Sequence, residues 1–487
     1  MANRFLYWIF LFLLFHFGRM ETMAHSVTID GIVYNINPER GDAWVLRTDG
    51  DIPADVTIKA SVEYEDFFHR YDGEYPVTAI YHWAFQYKDI TSVAIPNSVV
   101  AIGESAFYDC KNLKTVRGGY GVKELYGHAF QRCTSLESIE FSSSLDSIGP
   151  YAFEECSNLY EVSLGGYVRY IDDYAFANCT SLHEITIPST IEKMGRWAFK
   201  DCTNLYNVTI NNKTVSEHEF MGCTSLQLLT FGNNVETIEI GGFYGCTDLA
   251  FLEIPDNVKA IGSDAFMNCT GLTIVIIGNG VTRIYSDAFR NCTSLKEVSI
   301  GNNVEYIDML AFYQCSRLSE ITIPSSVKEI GGSAFGECTG LVSAIIDARS
   351  IGTSFKYCSN LQFVVFGEHT EEISIGAFDY CEKIIQIACT ATVPPVCGRG
   401  AFWYVDKQKC KLYVPSSSLE LYKKADEWKE FFNISNLDTK IESVSDASIT
   451  NDIKSCYELN GRLNNRIVHG LNIIRTDDGI MKKILVK

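Results

Sequence analysis

Cysteine is the residue best able to do chemistry in this chain of 487 residues, and 17 are present. Thirteen of them stand three residues after a phenylalanine, from Phe107/Cys110, Phe130/Cys133 and Phe153/Cys156 through to Phe355/Cys358 and Phe378/Cys381. The step is 23 residues except where it ends on Phe220 and Phe355, and there it is shorter. A thiol becomes a nucleophile only in an exposed, electropositive setting that favours the thiolate. A structural zinc site would need C-x-x-C pairs, and none occurs. Many cysteines in a secreted chain usually mean a disulfide framework. One cysteine per repeat, always at the same position, instead predicts a ladder of inward thiols, because free cysteine behaves as a small buried hydrophobe. Cys389, Cys397, Cys410 and Cys456 lie outside the ladder, and Cys397 with Cys410 is the pair best placed for a disulfide.

The other reactive groups are sparse. Nine histidines are scattered, and the chain has no G-x-S-x-G elbow, no P-loop and no H-E-x-x-H. Carboxylates should align on neighbouring repeats, Glu161 beside Glu184 and Glu297 beside Glu320. Two are few for a calcium ion that takes about six to eight oxygens, so a solvated acidic face is the simpler reading. A net charge of −19 and the lack of any repeated Lys/Arg column argue against a nucleic-acid partner. The sequence therefore offers no catalytic residue, no metal ligand set and no cofactor site, and reads as a protein that is not an enzyme.

What must position these residues is the repeat. A fixed period of roughly 20–50 residues is the signature of a solenoid, in which each unit buries its apolar face only against its neighbours. The unit from Ala265 places Ala265, Phe266, Cys269, Leu272, Val275, Ile277, Val281 and Ile284 as its apolar set. Val275 and Ile277 have strand spacing, so both point inward. The residues between them look outward, and in most coils they are polar, as a solvated sheet face requires. Leu228, Phe251, Ile274 and Ile276 are the exception, with apolar outward side chains on three consecutive coils. Such patches mark interaction sites; the alternatives are a covering loop or a sheet that tolerates them. One row earlier, Tyr160, His183 and Tyr206 fall on consecutive coils, a spacing suited to sugar-ring or protein contact, or to chance in a tyrosine-rich chain.

The segments Ala198-Phe199-Lys200-Asp201-Cys202-Thr203-Asn204-Leu205 and Ile323-Pro324-Ser325-Ser326-Val327-Lys328-Glu329-Ile330-Gly331 resemble the BspA-like leucine-rich repeat family. The resemblance runs from about Val77 to Cys389, and departs at Glu219-Phe220, Gly242-Phe243 and Ser354-Phe355, where the usual alanine is replaced. It implies a repeat solenoid, leucine-rich-repeat-like, with 23-residue coils and a parallel β-sheet face. It also implies a secreted or cell-surface adhesin that binds a host or neighbouring-cell protein. The rival readings are a glycan-binding accessory protein and a structural surface component. The expected ligand is thus an extracellular protein or glycan.

The ends complete the organisation. Residues 1–24 read as a secretory signal, with a basic start, an apolar run from Phe5 to Phe17 too short to span a bilayer, and a Thr22-x-Ala24 exit. No later segment reads as a transmembrane span. A β-rich N-terminal cap is expected over 25–76, with a hairpin around Asp30-Gly31, and the solenoid over 77–398. A C-terminal cap over 399–435 should hold a last strand at Cys410-Lys411-Leu412-Tyr413-Val414-Pro415. An amphipathic helix follows from Ser416 to Phe432, with Ser417 as N-cap and Leu419, Tyr422, Ala425, Trp428 and Phe432 on one face. A polar linker, 436–450, leads to a short β tail, 451–487, that resembles the sorting domain of bacterial type IX secretion cargo or is simply a small β-module or an untidy tail.

Overall fold

The structure, a computed structural model, describes residues 25–140 and 144–437, together with the backbone of five strands between 441 and 486. The expected signal segment, 1–24, lies outside the described residues. The chain is a parallel β-solenoid of coils that follow the 23-residue repeat, and it divides between Ile171 and Asp172 into two compact units.

Each coil has three sides. In the coil of Phe266, the strand Ile274–Ile277 is followed by a two-residue strand, Arg283–Ile284, and both pair in parallel with their equivalents in adjacent coils. The inward residues Phe266, Cys269, Leu272, Val275, Ile277, Val281 and Ile284 are all buried. Each such large side chain contributes about 1.5–3 kcal/mol on burial, which is why the interior columns fix the register. In the first unit Phe85, Phe107, Phe130 and Phe153 stack ring on ring, with centroids 5.0 to 5.4 Å apart. In the second, the stack runs from Phe176 to Phe402 at 5.0 to 5.6 Å. Phe85 and Phe402 extend the columns beyond the Phe/Cys repeat, because Lys88 and Val405 stand where the cysteine would be.

The third side, the Ala-Phe-x-x-Cys segment, is neither helix nor strand. Its backbone alternates, with a left-handed residue before the alanine and another before the cysteine, as at Asp264 (φ 56°) and Asn268 (φ 63°). Asn and Asp tolerate that region better than most residues, which accounts for the recurring Asn-Cys and Asp-Cys pairs. The alternation turns every second N–H toward the next coil: Phe266 N donates to Ala288 O at 2.8 Å and Asn268 N to Arg290 O at 2.9 Å.

The first unit opens with the hairpin Ser26–Ile29 and Ile32–Asn37, turned by Asp30 (φ 51°) and Gly31 (φ 77°), two positive angles that the type I′ turn requires. Strand Asp42–Thr48 then pairs in parallel with Gly73–Ile80, and that strand with Ala101–Ile102, so the hairpin is continuous with the solenoid's sheet.

The C-terminal end departs from expectation in three ways. The long amphipathic helix is absent; a 3₁₀ turn, Ser416–Ser418, one α turn, Leu419–Tyr422, and a second 3₁₀ turn, Trp428–Glu430, replace it. Glu427 (φ 63°) breaks the helical path, the N-cap positions fall on Pro415 and Ser418 instead of Ser417, and Phe432 is 75% exposed. Lys411–Val414 is not the last strand, because Asn433–Asn436 pairs beyond it. Within the expected linker, Ile441–Val444 is a strand, in a single five-stranded sheet with Met481–Val486, Gly470–Thr476, Ile453–Glu458 and Leu463–Asn464.

Candidate functional site

The cysteine ladder forms as the repeat predicts, and its environment removes its chemistry. Every ladder cysteine is buried and free. Ladder thiols also have partners that the sequence did not reveal: Cys269 Sγ donates to Phe243 O at 3.3 Å, and Cys292 Sγ to Phe266 O at 3.3 Å. Burial pushes the Cys202 and Cys269 thiols up to about 12, far from a reactive thiolate. Cys397 and Cys410 are both free, so the disulfide is not formed. Among the described residues no group of three or more His, Cys, Asp or Glu could hold a metal ion.

The outer sheet face is where side chains meet solvent. Strand alternation turns Leu228 (50% exposed), Phe251 (48%) and Ile276 (39%) outward, with Ile274 half-buried between its neighbours. Phe251 lies directly beside Ile274, and Ile274 beside Glu297; Asn207 lies beside Leu228. The parallel ladder ends at Leu228–Phe231 and restarts at Phe251–Ile254, so the patch straddles an interruption of the sheet. His183 and Tyr206 stack face to face, centroids 5.5 Å apart, and Leu228 N donates to Tyr206 O. Tyr160 belongs to the first unit, where it is half exposed.

Sequence reasoning missed two features. Phe67 and Phe68, 89% and 68% exposed, stand in the connection between strands Ser61–Tyr64 and Gly73–Ile80. Further along the sheet, Ser343, Ile345, Phe363 and Val365 also occupy outward positions, yet all are buried. The apolar character of Ile345, Phe363 and Val365 in the outward rows was the available signal.

The fold and its surface define the class: a parallel solenoid whose coils carry a Phe/Cys/Leu core and an exposed sheet face. The chain belongs to the BspA type leucine-rich repeat family, whose repeat region matches residues 78–206, 213–342, 284–408 and 349–453. A leucine-rich repeat protein from Bacteroides ovatus is 29% identical, with a TM-score of 0.64, over 80% of this chain and 99% of its own. A leucine-rich cell surface protein from Faecalibacterium prausnitzii is 21% identical, with a TM-score of 0.36, over 76% of this chain and 95% of its own. The pneumococcal vaccine antigen PcpA is also 21% identical, with a TM-score of 0.46, over 76% and 94%. No curated protein matches the chain in sequence. No helix among the described residues is long and apolar enough to cross a membrane.

Proposed function

We propose that this protein is a secreted or cell-surface adhesin without enzymatic activity, which holds a host or neighbouring-cell protein against the outer face of its sheet. The observation that carries the reading is the apolar patch of Leu228, Phe251, Ile274 and Ile276, which leaves large side chains in water on neighbouring coils. Solvated sheet faces do not need such residues, and they cost solubility unless a partner covers them. Asn207 and Glu297 flank the patch and supply a polar rim of the kind that surrounds a buried interface core.

The test is binding of the chain to a panel of immobilised matrix proteins and glycans, with Phe251→Ser as the probe. Burying one such side chain contributes about 1.5–3 kcal/mol, so the variant should bind at least about ten-fold more weakly. Its melting temperature should stay near that of the parent, because the ring lies outside the core. Undiminished binding by Phe251→Ser would remove the patch from the interface.

The stacked rings of His183 and Tyr206 favour a second reading, a glycan contact. Loss of glycan binding, but not protein binding, in Tyr206→Ala would select it.

A further inference from the structure

We infer that the second unit carries a binding site for a neutral oligosaccharide, in a cleft that Tyr357 and Tyr380 border together with Glu337, Glu382 and Lys383. The cleft lies where the third side turns toward the sheet, and the inference rests on neither reading above. Its first ground is backbone strain. The residue before each ladder cysteine is left-handed, and in the coils of Phe266, Phe289, Phe312 and Phe335 it is Asn268, Asn291, Gln314 and Glu337. The next three coils place Tyr357 (φ 65°), Tyr380 (φ 60°) and Tyr404 (φ 71°) in that row. Bulky side chains are disfavoured there. Core burial does not offset the cost, because Tyr357 is 42% and Tyr404 52% exposed. Strain of this kind gathers at ligand sites.

The second ground is the shape beside these rings. Tyr357 stacks on Tyr380 with centroids 4.6 Å apart, and Tyr380 on Tyr404 at 4.2 Å. The column begins at Tyr357, whose other face looks back toward Glu337, a shorter side chain. Glu337 is also drawn toward the coil before it, where the Tyr313 hydroxyl and Gln314 Nε2, the latter at 2.9 Å, donate to its two oxygens. The ring therefore stands as a step over the cleft, whose volume of about 530 Å³ falls within the roughly 300–1,000 Å³ of small-ligand sites.

The lining then selects the ligand. A pyranose presents a face of C–H groups and a rim of hydroxyls that both donate and accept. An aromatic wall takes the first. Thr339 and Ser359 hydroxyls, the two carboxylates and the Lys383 ammonium answer the second. Glu337 stays ionised, because the bonds from Tyr313 and Gln314 hold its carboxyl below the usual value, and its oxygens keep lone pairs for a ligand. Lys356, 5.3 Å from the Tyr357 centroid, is bound to Asp379 in the following coil at 3.3 Å and brings no net charge. Carboxylates in the cleft and a net charge of −19 disfavour sialylated or sulfated chains. A basic peptide would also be drawn to tyrosine faces, but Lys356 and Lys383 already stand beside them.

The test applies the full chain to an array of immobilised neutral, sialylated and sulfated oligosaccharides and a lysine-rich peptide, and titrates the strongest neutral sugar by calorimetry. Neutral sugars should be retained, and Tyr357→Asn should weaken the strongest by about ten-fold or more. Asparagine is what the row holds at 268 and 291, so this variant should melt no lower than the parent. Tyr206→Ala should leave the affinity unchanged, which separates this site from a contact at the sheet. Retention of no neutral sugar, capture of the peptide alone, or equal affinity in Tyr357→Asn would each overturn the proposal. Should Tyr357→Asn fail to fold, Glu382→Ala with Lys383→Ala, both exposed, decides instead. A loss of about five-fold or more supports the site, and undiminished affinity refutes it.

Discussion

A thiol in the interior of this protein is not simply an apolar filler. Ladder sulfurs donate to the carbonyl of the phenylalanine one coil back, as Cys133 does to Phe107 at 3.1 Å. Rungs about 4.8 Å apart fall inside the Cα window for a disulfide, so spacing alone does not keep neighbouring cysteines apart. Direction does, because the hydrogen bond holds each sulfur on its own carbonyl, and burial raises the pKa of thiols such as Cys223, Cys246 and Cys292, suppressing thiolate. Alkylation of the native protein at mild alkaline pH should therefore leave the ladder unmodified. After denaturation without reductant, all thirteen ladder cysteines should react. A need for reductant before the unfolded chain could be labelled would mean that bridges exist and that this geometry is wrong.

At the scale of one coil, the informative place is where the repeat breaks its own rule. Glu219 stands in the alanine row and is fully buried; Oε2 accepts the Ser216 amide at 2.7 Å, while Oε1 has no partner. Burial without a counter-charge pushes its carboxyl up to about 8. Between the ordinary value of 4.5 and about 8, the folded state holds a proton that the unfolded state has released. Glu219 therefore makes stability fall as pH rises through that window and level off above it. Glu219→Ala restores the usual residue of the row, so the variant should gain about 1–3 kcal/mol at pH 8.5 and little at pH 4.5. Denaturant titrations at both pH values measure this, and equal gains at the two would show that the carboxyl is not titrating there. Glu219 also marks how far the sequence could be read. The interior columns, the strands and the outward rows were legible because a period of 23 forces one role on each position. Breaks in the period name the unusual coil without saying whether its odd side chain turns in or out; Ser354 and Glu219 both turn in, but the Ser354 hydroxyl is satisfied, with the carbonyls of Ile330 and Gly331 within reach of its one proton. Helical spacing from Leu419 to Phe432 misled, because Tyr422 and Trp428 are anchored one by one instead of as a face. Tyr422 Oη donates to Ala391 O, and Trp428 Nε1 to Pro395 O, each at 2.8 Å.

Along a whole unit, the alternating third side gives the stack a direction, with donors facing the C-terminal end and acceptors facing the N-terminal end. An exposed end coil would present a row of unmatched groups, so the two termini need opposite chemistry. In the first unit the Thr48 hydroxyl meets the carbonyl of Ala84, in the coil of Phe85. In the second unit the last coil's Gly400 amide meets a carboxylate oxygen of Glu427 at 2.7 Å, and Lys407 holds the other oxygen at 3.2 Å. Trp428, fully buried beside Glu427, packs on Phe366, Phe402, Tyr422 and Phe431 and closes the phenylalanine column. In a solenoid, stability is close to a sum of coil terms and nearest-neighbour interfaces, so damage at an end spreads inward by degrees. Trp428→Ala removes about 3–5 kcal/mol from the terminal interface. Hydrogen exchange should then speed up most in the strands Lys411–Val414 and Gln386–Cys389, less in Phe363–Phe366, and not at all in Ile274–Ile277. Glu427→Ala should give the same gradient more weakly, about 1.5–3 kcal/mol for a charged hydrogen bond, and Glu427→Gln should restore most of it because an acceptor remains. Uniform acceleration across the unit would mean that it unfolds as one cooperative block and that the cap guards the whole stack instead of its last coils.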